Sequence, residues 1–382
     1  MARLGDVCII NPKVPPIDDS MLVSFVPMQR VGEEGEFDPS EQRTYADVKK
    51  GFTYFADADV LFAKITPCME NGKGAIACGM ENGIGFGSTE FHVLRPNKKM
   101  MMGEWLYYLT VCPTFRKEAE RNMTGSAGQK RVPKSFLENY HVNIPVLSEQ
   151  HQQVQVLNNI FALLSLRKQQ LAKLDELVKS RFVEMFGDPV SNEREWNVET
   201  LNDVCTEIGD GLHGTPEYDD NGEYPFINGN NLINGAIEIT PATKKVNAEI
   251  YKKHYIDISA NALLLSINGT LGKLAFYNGE KVMLGKSACY CNFKPEINRA
   301  FVYGVMKTEA FAGFLEKSAT ASTIKNVGLK AIRGYKLIMP PQALQMQFIE
   351  FSNQADKSKL AVQQSIDQLE TLKKSLMQKY FG

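Results

Sequence analysis

The sequence is poor in the features that mark metal-binding, disulfide-bonded and membrane proteins. Its 382 residues include seven cysteines, an odd number, with no Cys-x-x-Cys pair and no cluster of histidines beside them. This pattern predicts neither a zinc site nor a disulfide framework, and reduced thiols are typical of the cytoplasm. No apolar run approaches the length of a membrane span, and no hydrophobic segment follows the N-terminal charges. We therefore expect a cytoplasmic protein without a bound metal or membrane contact.

The chain also lacks an excess of positive charge. Its 43 Lys and Arg residues are balanced by 44 Asp and Glu residues, which gives a formal net charge of −1. Nucleic-acid-binding domains are usually basic as a whole, so this balance gives no direct sign of DNA, although local basic patches on a neutral protein still bind phosphate. A hydrophobic content of 43% predicts a globular protein, and the length is enough for two domains.

Two glycine-rich segments do not fit the cofactor-binding loops that they resemble. Five residues separate Gly279 from Gly285, where a phosphate-binding loop requires four, and residues 288–291 predict a strand where that motif needs a helix. Three glycines alternate within residues 83–87, without the strand-turn-helix setting of a dinucleotide site. We expect a tight turn there, before a strand at residues 91–94.

Catalytic motifs for DNA chemistry are missing as well. The chain has no Asn-Pro-Pro-Tyr string, which an amino-methyltransferase would carry. Asp38 with Asp47 and Lys49 loosely fits a metal nuclease, but the polar surroundings of Asp47 do not predict the strand that such a site needs. A self-contained methyltransferase or nuclease is therefore disfavoured, and we expect no catalytic residue and no cofactor in this chain.

The chain contains a long internal repeat. Residues 145–187 align without a gap with residues 340–382, a shift of 195 residues from Gly187 to Gly382. Apolar residues recur every seven positions in both copies, which is the spacing of a seam that pairs with another helix. The seam consists of Leu157, Leu164, Leu171 and Val178 in the first copy, with Leu174 at an intermediate position, and of Val362, Leu369 and Leu376 in the second, with Ile366 between them. We expect two long helices that pair antiparallel, and the alternative is that each packs on its own globular domain.

The remaining segments predict β-rich domains. Short apolar runs lie between clusters of Gly, Asn, Asp and Pro, notably at residues 60–62, 91–94, 262–267 and 290–293. The two segments also correspond weakly at their ends: Leu4, Asp6, Val7 and Cys8 parallel Leu201, Asp203, Val204 and Cys205, and Lys130, Val132 and Tyr140 parallel Lys325, Val327 and Tyr335. The sequence thus predicts an α+β fold, with two β-rich domains (1–143 and 194–338) and two long antiparallel paired helices (144–187 and 339–382) in a pseudo-twofold internal repeat.

Several strings resemble those of one known family. Residues 59–74, 211–218 and 264–273 are similar to the target-recognition strands and loops of the specificity subunit of Type I restriction-modification systems. The order of divergent domain and similar helix, occurring twice, resembles the same family over the whole chain. The junction from Gly125 to Glu149 also resembles it, whereas the second junction departs from it at Leu344.

This resemblance implies a non-catalytic DNA reader. Each β-rich segment would be a target-recognition domain for one half of a bipartite double-stranded DNA site, and the paired helices would be a spacer that docks two copies of a methyltransferase subunit. A restriction subunit would join through them, and S-adenosylmethionine, ATP and magnesium would be bound by the partner subunits. The alternative is a two-fold coiled-coil scaffold whose β-rich domains bind proteins, which the neutral net charge favours.

The loops named above supply the side chains that base reading needs. Arg and Lys bind guanine, Asn and Gln bind adenine, and Ser and Thr bind either. Residues 129–131, with their counterparts near residue 325, also lie at a possible helix start, where backbone N–H groups favour phosphate. The candidate DNA-binding residues are Lys64, Thr66, Asn71, Lys73, Gln129, Lys130, Arg131, His213, Thr215, Tyr218, Ser266, Asn268, Thr270, Lys273, Lys286, Lys325 and Asn326.

Overall fold

The computed structural model describes residues 1–126 and 128–382, which form two compact units. The first unit comprises residues 1–169 and 363–382, and the second comprises residues 170–362. Each unit therefore contains one β-rich domain, part of the helix that follows it, and part of the other long helix. None of the described helices is long and apolar enough to cross a membrane.

The described residues of the first β-rich domain form ten strands and five short α-helices. Its strands are β1 (Ala2–Arg3), β2 (Cys8–Ile10), β3 (Leu22–Val26), β4 (Gln42–Thr44), β5 (Thr53–Ala56), β6 (Val60–Ala63), β7 (Gly74–Ile76), β8 (Ile84–Gly87), β9 (Phe91–Pro96) and β10 (His141–Val142). Its helices are α1 (Leu4–Val7), α2 (Tyr45–Val48), α3 (Gly103–Val111), α4 (Pro113–Arg121) and α5 (Lys134–Asn139), and the long helix α6 (Leu147–Phe186) follows.

Two four-stranded sheets form the centre of this domain. One has the order β2-β9-β6-β7 and is antiparallel, and the other has the order β4-β3-β8-β5 with β3 and β8 parallel. Strand β6 is buried along its whole length, which explains its uninterrupted apolar sequence. Helices α3 and α4 cover the first sheet, where Trp105 and Phe115 are fully buried.

The prediction of a tight turn at residues 83–87 is wrong. Residues Ile84–Gly87 form β8, which lies between β3 and β5 in its sheet. A side chain at Gly85 would collide with the ring of Phe55, and one at Gly87 would collide with the carbonyl of Val26. The glycines therefore serve close packing of a strand, a use that cannot be distinguished from a turn in the sequence alone.

The second β-rich domain has eleven strands and five short α-helices. Its strands are β11 (Asn197–Thr200), β12 (Cys205–Asp210), β13 (Tyr224–Ile227), β14 (Leu232–Ile233), β15 (Ala236–Ile237), β16 (Lys245–Val246), β17 (Ala262–Ser266), β18 (Leu274–Phe276), β19 (Met283–Leu284), β20 (Ala288–Phe293) and β21 (Lys336–Met339). Its helices are α7 (Leu201–Val204), α8 (Ala248–Lys253), α9 (Arg299–Met306), α10 (Glu309–Ser318) and α11 (Leu329–Arg333), and the long helix α12 (Gln342–Phe381) ends the chain.

The second domain repeats the topology of the first. Its four-stranded sheet has the order β12-β20-β17-β18, and a second sheet, β16-β13-β19, again contains one parallel pair. In each domain the first and last strands pair, β1 with β10 and β11 with β21. Backbone N–H groups of Leu4 and Leu201 donate to the carbonyls of Tyr140 and Tyr335, at 2.8 and 2.9 Å. The predicted α+β fold and internal repeat are confirmed.

The long helices pack both against a domain and against each other. In the second unit Asp175 forms an ion pair with Lys359 at 2.7 Å, and the rings of Phe186 and Phe348 are 5.7 Å apart. Later residues of α6 therefore contact earlier residues of α12, which means that the two helix segments run antiparallel. In the first unit Leu157 is fully buried in the domain core.

The apolar seam predicted from the repeat lies on the packed side of both helices. Four of its residues are buried (Leu157, Leu164, Val362 and Ile366), and the other five are half-buried (Leu171, Leu174, Val178, Leu369 and Leu376). Lys373 of α12 also lies 5.3 Å from the ring of Phe161 on α6 within the first unit. The long helices therefore do both things that the sequence left open: they pair with each other, and they pack on the globular domains.

Candidate functional site

Two of the predicted residue sets meet in the first unit. The loop after β6, residues 64–73, pairs with the residues that precede α5: the N–H of Thr66 donates to the carbonyl of Lys130 at 3.0 Å, and the N–H of Val132 donates to that of Lys64 at 2.9 Å. Sequence separations of more than sixty residues are closed by these bonds. We call this place the first crossing, defined by residues 64–66 and 130–132.

The second unit contains the same arrangement. The N–H of Gly269 donates to the carbonyl of Lys325 at 2.9 Å, and the N–H of Val327 donates to that of Ile267 at 2.9 Å. We call this the second crossing, residues 267–269 and 325–327. In both units it follows the buried strand at the centre of the four-stranded sheet, β6 or β17. The structure therefore brings together the loop residues and the residues near 130 and 325 that were predicted separately.

The prediction that a helix starts at residues 129–131 and near residue 325 is wrong. Helix α5 begins at Lys134 and α11 begins at Leu329, so Arg131 and Asn326 lie before the helices and not at their N-termini. Each residue instead receives a hydrogen bond on its carbonyl from a threonine, Thr124 or Thr320, at 3.0 Å in both units. Phosphate binding at these residues would therefore depend on side chains and not on a helix terminus.

Most of the predicted DNA-binding side chains are at least partly exposed to solvent. Asn71, Gln129, Lys130, His213, Thr215, Tyr218, Thr270, Lys286 and Lys325 are exposed, and Lys64, Thr66, Lys73, Arg131, Asn268, Lys273 and Asn326 are half-buried. Burial lowers the pKa of Lys64, and the nearby Glu90 opposes that effect. The Lys73 ammonium donates to the carbonyl of Met28 at 3.2 Å, which ties this lysine to the protein.

Ser266 is the exception among the candidates. It is fully buried, and its hydroxyl donates to the carbonyl of Thr270 at 2.7 Å and accepts from the N–H of Lys273 at 2.8 Å. This serine shapes the loop from within, and its hydroxyl is not available to a base, contrary to expectation. Ser266 is the last residue of β17 and directly precedes the loop. The sequence alone does not show on which side of this boundary a polar residue lies.

Arg131 is held by a residue that the sequence analysis missed. Its Nε and Nη2 atoms donate to the two carboxylate oxygens of Glu90 at 2.9 and 2.8 Å. The hydrogen bonds from Arg131 hold the pKa of Glu90 below its ordinary value. Glu90 lies 41 residues before Arg131 and precedes β9, so no local pattern connects the two. The bidentate geometry fixes the plane of the guanidinium.

The loop containing His213 approaches another predicted contact, Lys286. The N–H of Lys286 donates to the carbonyl of Leu212 at 3.0 Å, and the imidazole of His213 lies 2.8 Å from the carboxylate of Asp210. An open pocket of about 460 Å³ lies beside the second crossing, and its polar walls come from Asn230, Asn268, Thr270, Ser287, Thr323 and Lys325. These side chains offer both hydrogen-bond donors and hydrogen-bond acceptors, which are the groups that base edges pair with.

A more charged pocket adjoins the first crossing. It has a volume of about 420 Å³ and contains Lys117, Arg121 and Lys130 together with Glu70 and Glu120. Among the described residues, no group of three or more His, Cys, Asp or Glu side chains is placed to hold a metal ion. The basic side chains of this pocket are suited to phosphate oxygens.

Known proteins share this sequence pattern. A family model described as the Type I restriction modification DNA specificity domain matches residues 1–176 and 193–371. The EcoAI Type I restriction enzyme specificity subunit of Escherichia coli is 44% identical over 176 residues, which are 45% of this chain and 30% of that subunit. The EcoEI subunit of the same organism is 41% identical over 175 residues, 45% of this chain and 29% of the subunit. The match thus spans less than a third of each relative.

Solved structures show the same fold over the full chain. One, described as concerning complex assembly and conformational transition of the type I R-M system, has a TM-score of 0.61 at 17% identity and covers 100% of this chain and 96% of the other. The Type-I restriction-modification system S subunit from M. genitalium has a TM-score of 0.52 at 13% identity, covering 100% and 95%. At these identities the likeness establishes the fold alone.

Proposed function

Because this chain belongs to the Type I restriction-modification DNA specificity family, we propose that it reads a bipartite, asymmetric double-stranded DNA site, one half-site with each unit. The proposal includes the partners: two copies of a modification subunit, and a restriction subunit that joins through them, in the cytoplasm. S-adenosylmethionine, ATP and Mg²⁺ would be held by those subunits, and this chain would contribute no catalytic group.

The observation that carries the proposal is the repeated crossing. The same backbone hydrogen bonds hold residues 130–132 and 325–327 beside the end of a buried strand in each unit. A lysine occupies the same place in both, Lys130 and Lys325, whereas the residue after it is Arg131 in one unit and Asn326 in the other. One geometry with two sets of side chains is what reading two different half-sites requires.

The side chains divide naturally between two tasks. Contacts to phosphate position a protein on the duplex, and contacts to base edges provide specificity. The exposed ammonium groups of Lys130 and Lys325 are shared by the two units and are suited to phosphate. Arg131 and Asn326 differ between the units and are suited to bases. The two half-sites should therefore differ in sequence while the phosphate contacts stay equivalent.

The long helices offer equivalent apolar side chains for the modification subunits. Leu177 lies on the α6 segment of the second unit and Leu372 on the α12 segment of the first, and they are 49% and 47% exposed. The two leucines correspond in the internal repeat. Apolar side chains exposed at equivalent positions of the two copies would give two partners the same contact, and their equivalence favours two identical partners.

The test is to map methylation by the reconstituted complex. The full chain, purified with its cognate modification subunit, is incubated with DNA and S-adenosylmethionine, and methylated adenines are located by sequencing. We expect two different specified half-sites separated by unspecified bases. DNA binding should weaken steeply with salt, since released counterions drive it. Methylation without sequence preference, or binding without salt dependence, would favour the alternative of a protein-binding scaffold.

A further inference from the structure

Arg131 and Asn326 occupy the same position in the two units. Both follow the lysine of the crossing, and both receive a threonine N–H on their carbonyl at 3.0 Å. The residues opposite them also correspond: the carbonyl of Glu90 accepts from the N–H of Lys64 at 2.9 Å, and that of Ser287 accepts from the N–H of Ile267 at 3.1 Å. The backbone geometry is thus the same in both units, but the side chains are Arg131 with Glu90 in the first unit and Asn326 with Ser287 in the second.

The guanidinium of Arg131 keeps two donors free. Of its five N–H groups, the one on Nε and one on Nη2 face Glu90, and one on Nη1 donates to the carbonyl of Gln129 at 3.1 Å. One N–H remains on each terminal nitrogen. The side chain is 42% exposed, so these donors reach solvent. Two donors on adjacent nitrogens match the O6 and N7 acceptors of guanine in the major groove.

The ion pair with Glu90 favours a base over a phosphate as the partner of Arg131. The Glu90 side chain is 25% exposed and lies 2.8 Å from the guanidinium. A phosphate bound at Arg131 would therefore approach a carboxylate of the same sign, whereas a neutral guanine edge would not. Lys130 is not ion-paired with a carboxylate in the described chain, although Glu70 and Glu120 line the same pocket. Its exposed ammonium is therefore the better phosphate contact of this crossing.

Asn326 offers a different pattern at the same place. It is half-buried, and the hydrogen bonds that it makes to described residues use its backbone groups, with Thr320 as the partner. The hydroxyl of Ser287 is occupied, since it donates to Asn228 and accepts from the N–H of Gly229, both at 2.9 Å. The carboxamide is left with one donor group and one acceptor, which match N7 and the N6 amino group of adenine.

We propose that Arg131, positioned by Glu90, reads a guanine in the half-site of the first unit, and that Asn326 reads an adenine at the equivalent place in the other half-site. The inference rests on the proposed function and names the bases that distinguish its two halves. Glu90 is a positioning residue: it fixes the plane of the guanidinium and cancels its charge. The Arg131–Glu90 pair is neutral overall, as Asn326 and Ser287 are, so the two units differ at this position in the order of their donors and acceptors.

The test uses the full chain with its modification subunit and the site found by methylation mapping. Each guanine is replaced in turn by 7-deazaguanine, which lacks the N7 acceptor, and each adenine by 7-deazaadenine. For the unaltered protein, replacing one guanine should weaken binding about tenfold or more. With Arg131→Ala the same replacement should change binding less than about twofold. Asn326→Ala should behave in the same way toward one adenine of the other half-site.

Glu90→Gln distinguishes positioning from a merely structural role. Loss of the carboxylate leaves the charge of Arg131 unbalanced, so binding to all sequences should become tighter and the salt dependence steeper by about one charge. Discrimination of the guanine should fall at the same time. Glu138→Gln, which removes a carboxylate from another ion pair of this unit, is the matched control and should leave guanine discrimination unchanged.

The outcomes separate the two levels of the proposal. A bipartite methylated site in which no guanine couples to Arg131, or no adenine couples to Asn326, overturns this inference and leaves the proposed function standing. Absence of any sequence preference overturns the proposed function, and the inference with it. In each single variant, normal reading of the other half-site shows that the protein is folded and assembled.

Discussion

The Nη1 atom of Arg116 donates a hydrogen bond of 2.5 Å to the carbonyl of Met69, in the loop between β6 and β7. Arg116 is buried on α4, and it also donates to the carbonyls of Thr110 at 2.6 Å and Gly72 at 3.0 Å. Burial lowers the pKa of Arg116 to about 10. The buried Arg116 guanidinium thus fixes the backbone of the loop that carries Asn71 and Lys73. Its donors are satisfied by neutral carbonyl groups.

Loss of this arginine should loosen the loop. We expect Arg116→Lys to lower the free energy of opening of residues 64–73 by roughly 2–4 kcal/mol, because one ammonium cannot satisfy carbonyls in three directions and buried acceptors stay unpaired. Amide hydrogen exchange in this loop measures the change. Arg121→Lys, an exposed position on the same helix, is the control. Equal exchange in the Arg116 variant and the parent would contradict the role given to this side chain.

The paired lysines of the two crossings should contribute equally to DNA binding. Lys130→Ala and Lys325→Ala should each weaken binding to all sequences and reduce the salt slope by about one, since each removes one phosphate contact. The preferred bases should stay the same. Titrations at several salt concentrations provide the measurement, with Lys134→Ala as a control, because Lys134 is paired with Glu138 at 2.9 Å. A change in base preference would assign the lysine to a base.

Acid should destabilise the first unit through His92. Its Nε2 donates to the carbonyl of Val132 at 2.8 Å, and its Nδ1 accepts from Asn11 at 3.2 Å, so the imidazole is neutral. Burial lowers the pKa of His92, the bond to Val132 opposes this, and Lys64 and Lys134 lower the pKa further. The unfolded chain therefore takes up the proton first as pH falls.

The stability that neutral His92 provides is complete above its ordinary pKa of 6.5 and is lost as pH falls below it toward the folded pKa. Hydrogen exchange of residues 130–132 should be faster at pH 5.5 than at pH 7.5 once corrected for intrinsic rates. His92→Asn should remove most of this difference, whereas His151→Asn, an exposed position on α6, should keep it. An unchanged pH dependence in His92→Asn would assign the effect to another group.

Binding of the modification subunits should depend on the repeated leucines. We expect Leu177→Glu with Leu372→Glu to weaken assembly about tenfold or more, because each substitution buries a charge in an apolar contact. Ser180→Glu with Ser375→Glu introduces the same charges at exposed, equivalent positions and should have little effect. Co-purification and analytical ultracentrifugation measure assembly, and an intact complex in the leucine variant would place the interface elsewhere.

Much of the fold was predictable because its signals are local. The seven-residue spacing of Leu157 and Leu164 predicted a long helix, and the apolar run at residues 60–62 predicted a strand. Both are confirmed. The glycines of β8 gave a wrong prediction, since their role depends on Phe55 and Val26 in neighbouring strands. The sites were predicted as separate sets, because nothing local relates Lys64 to Lys130.

The sequence by itself determined the duplication, the two long helices and the loops rich in polar side chains, because periodicity and residue type act over a few neighbouring positions. Only the tertiary structure decided that residues 64–66 meet residues 130–132, that Glu90 holds Arg131, and that Ser266 is withdrawn into the core. Strand register and the choice of polar partner depend on backbone hydrogen bonds between distant segments. The equivalence of Arg131 and Asn326 is visible once those bonds are formed in both units.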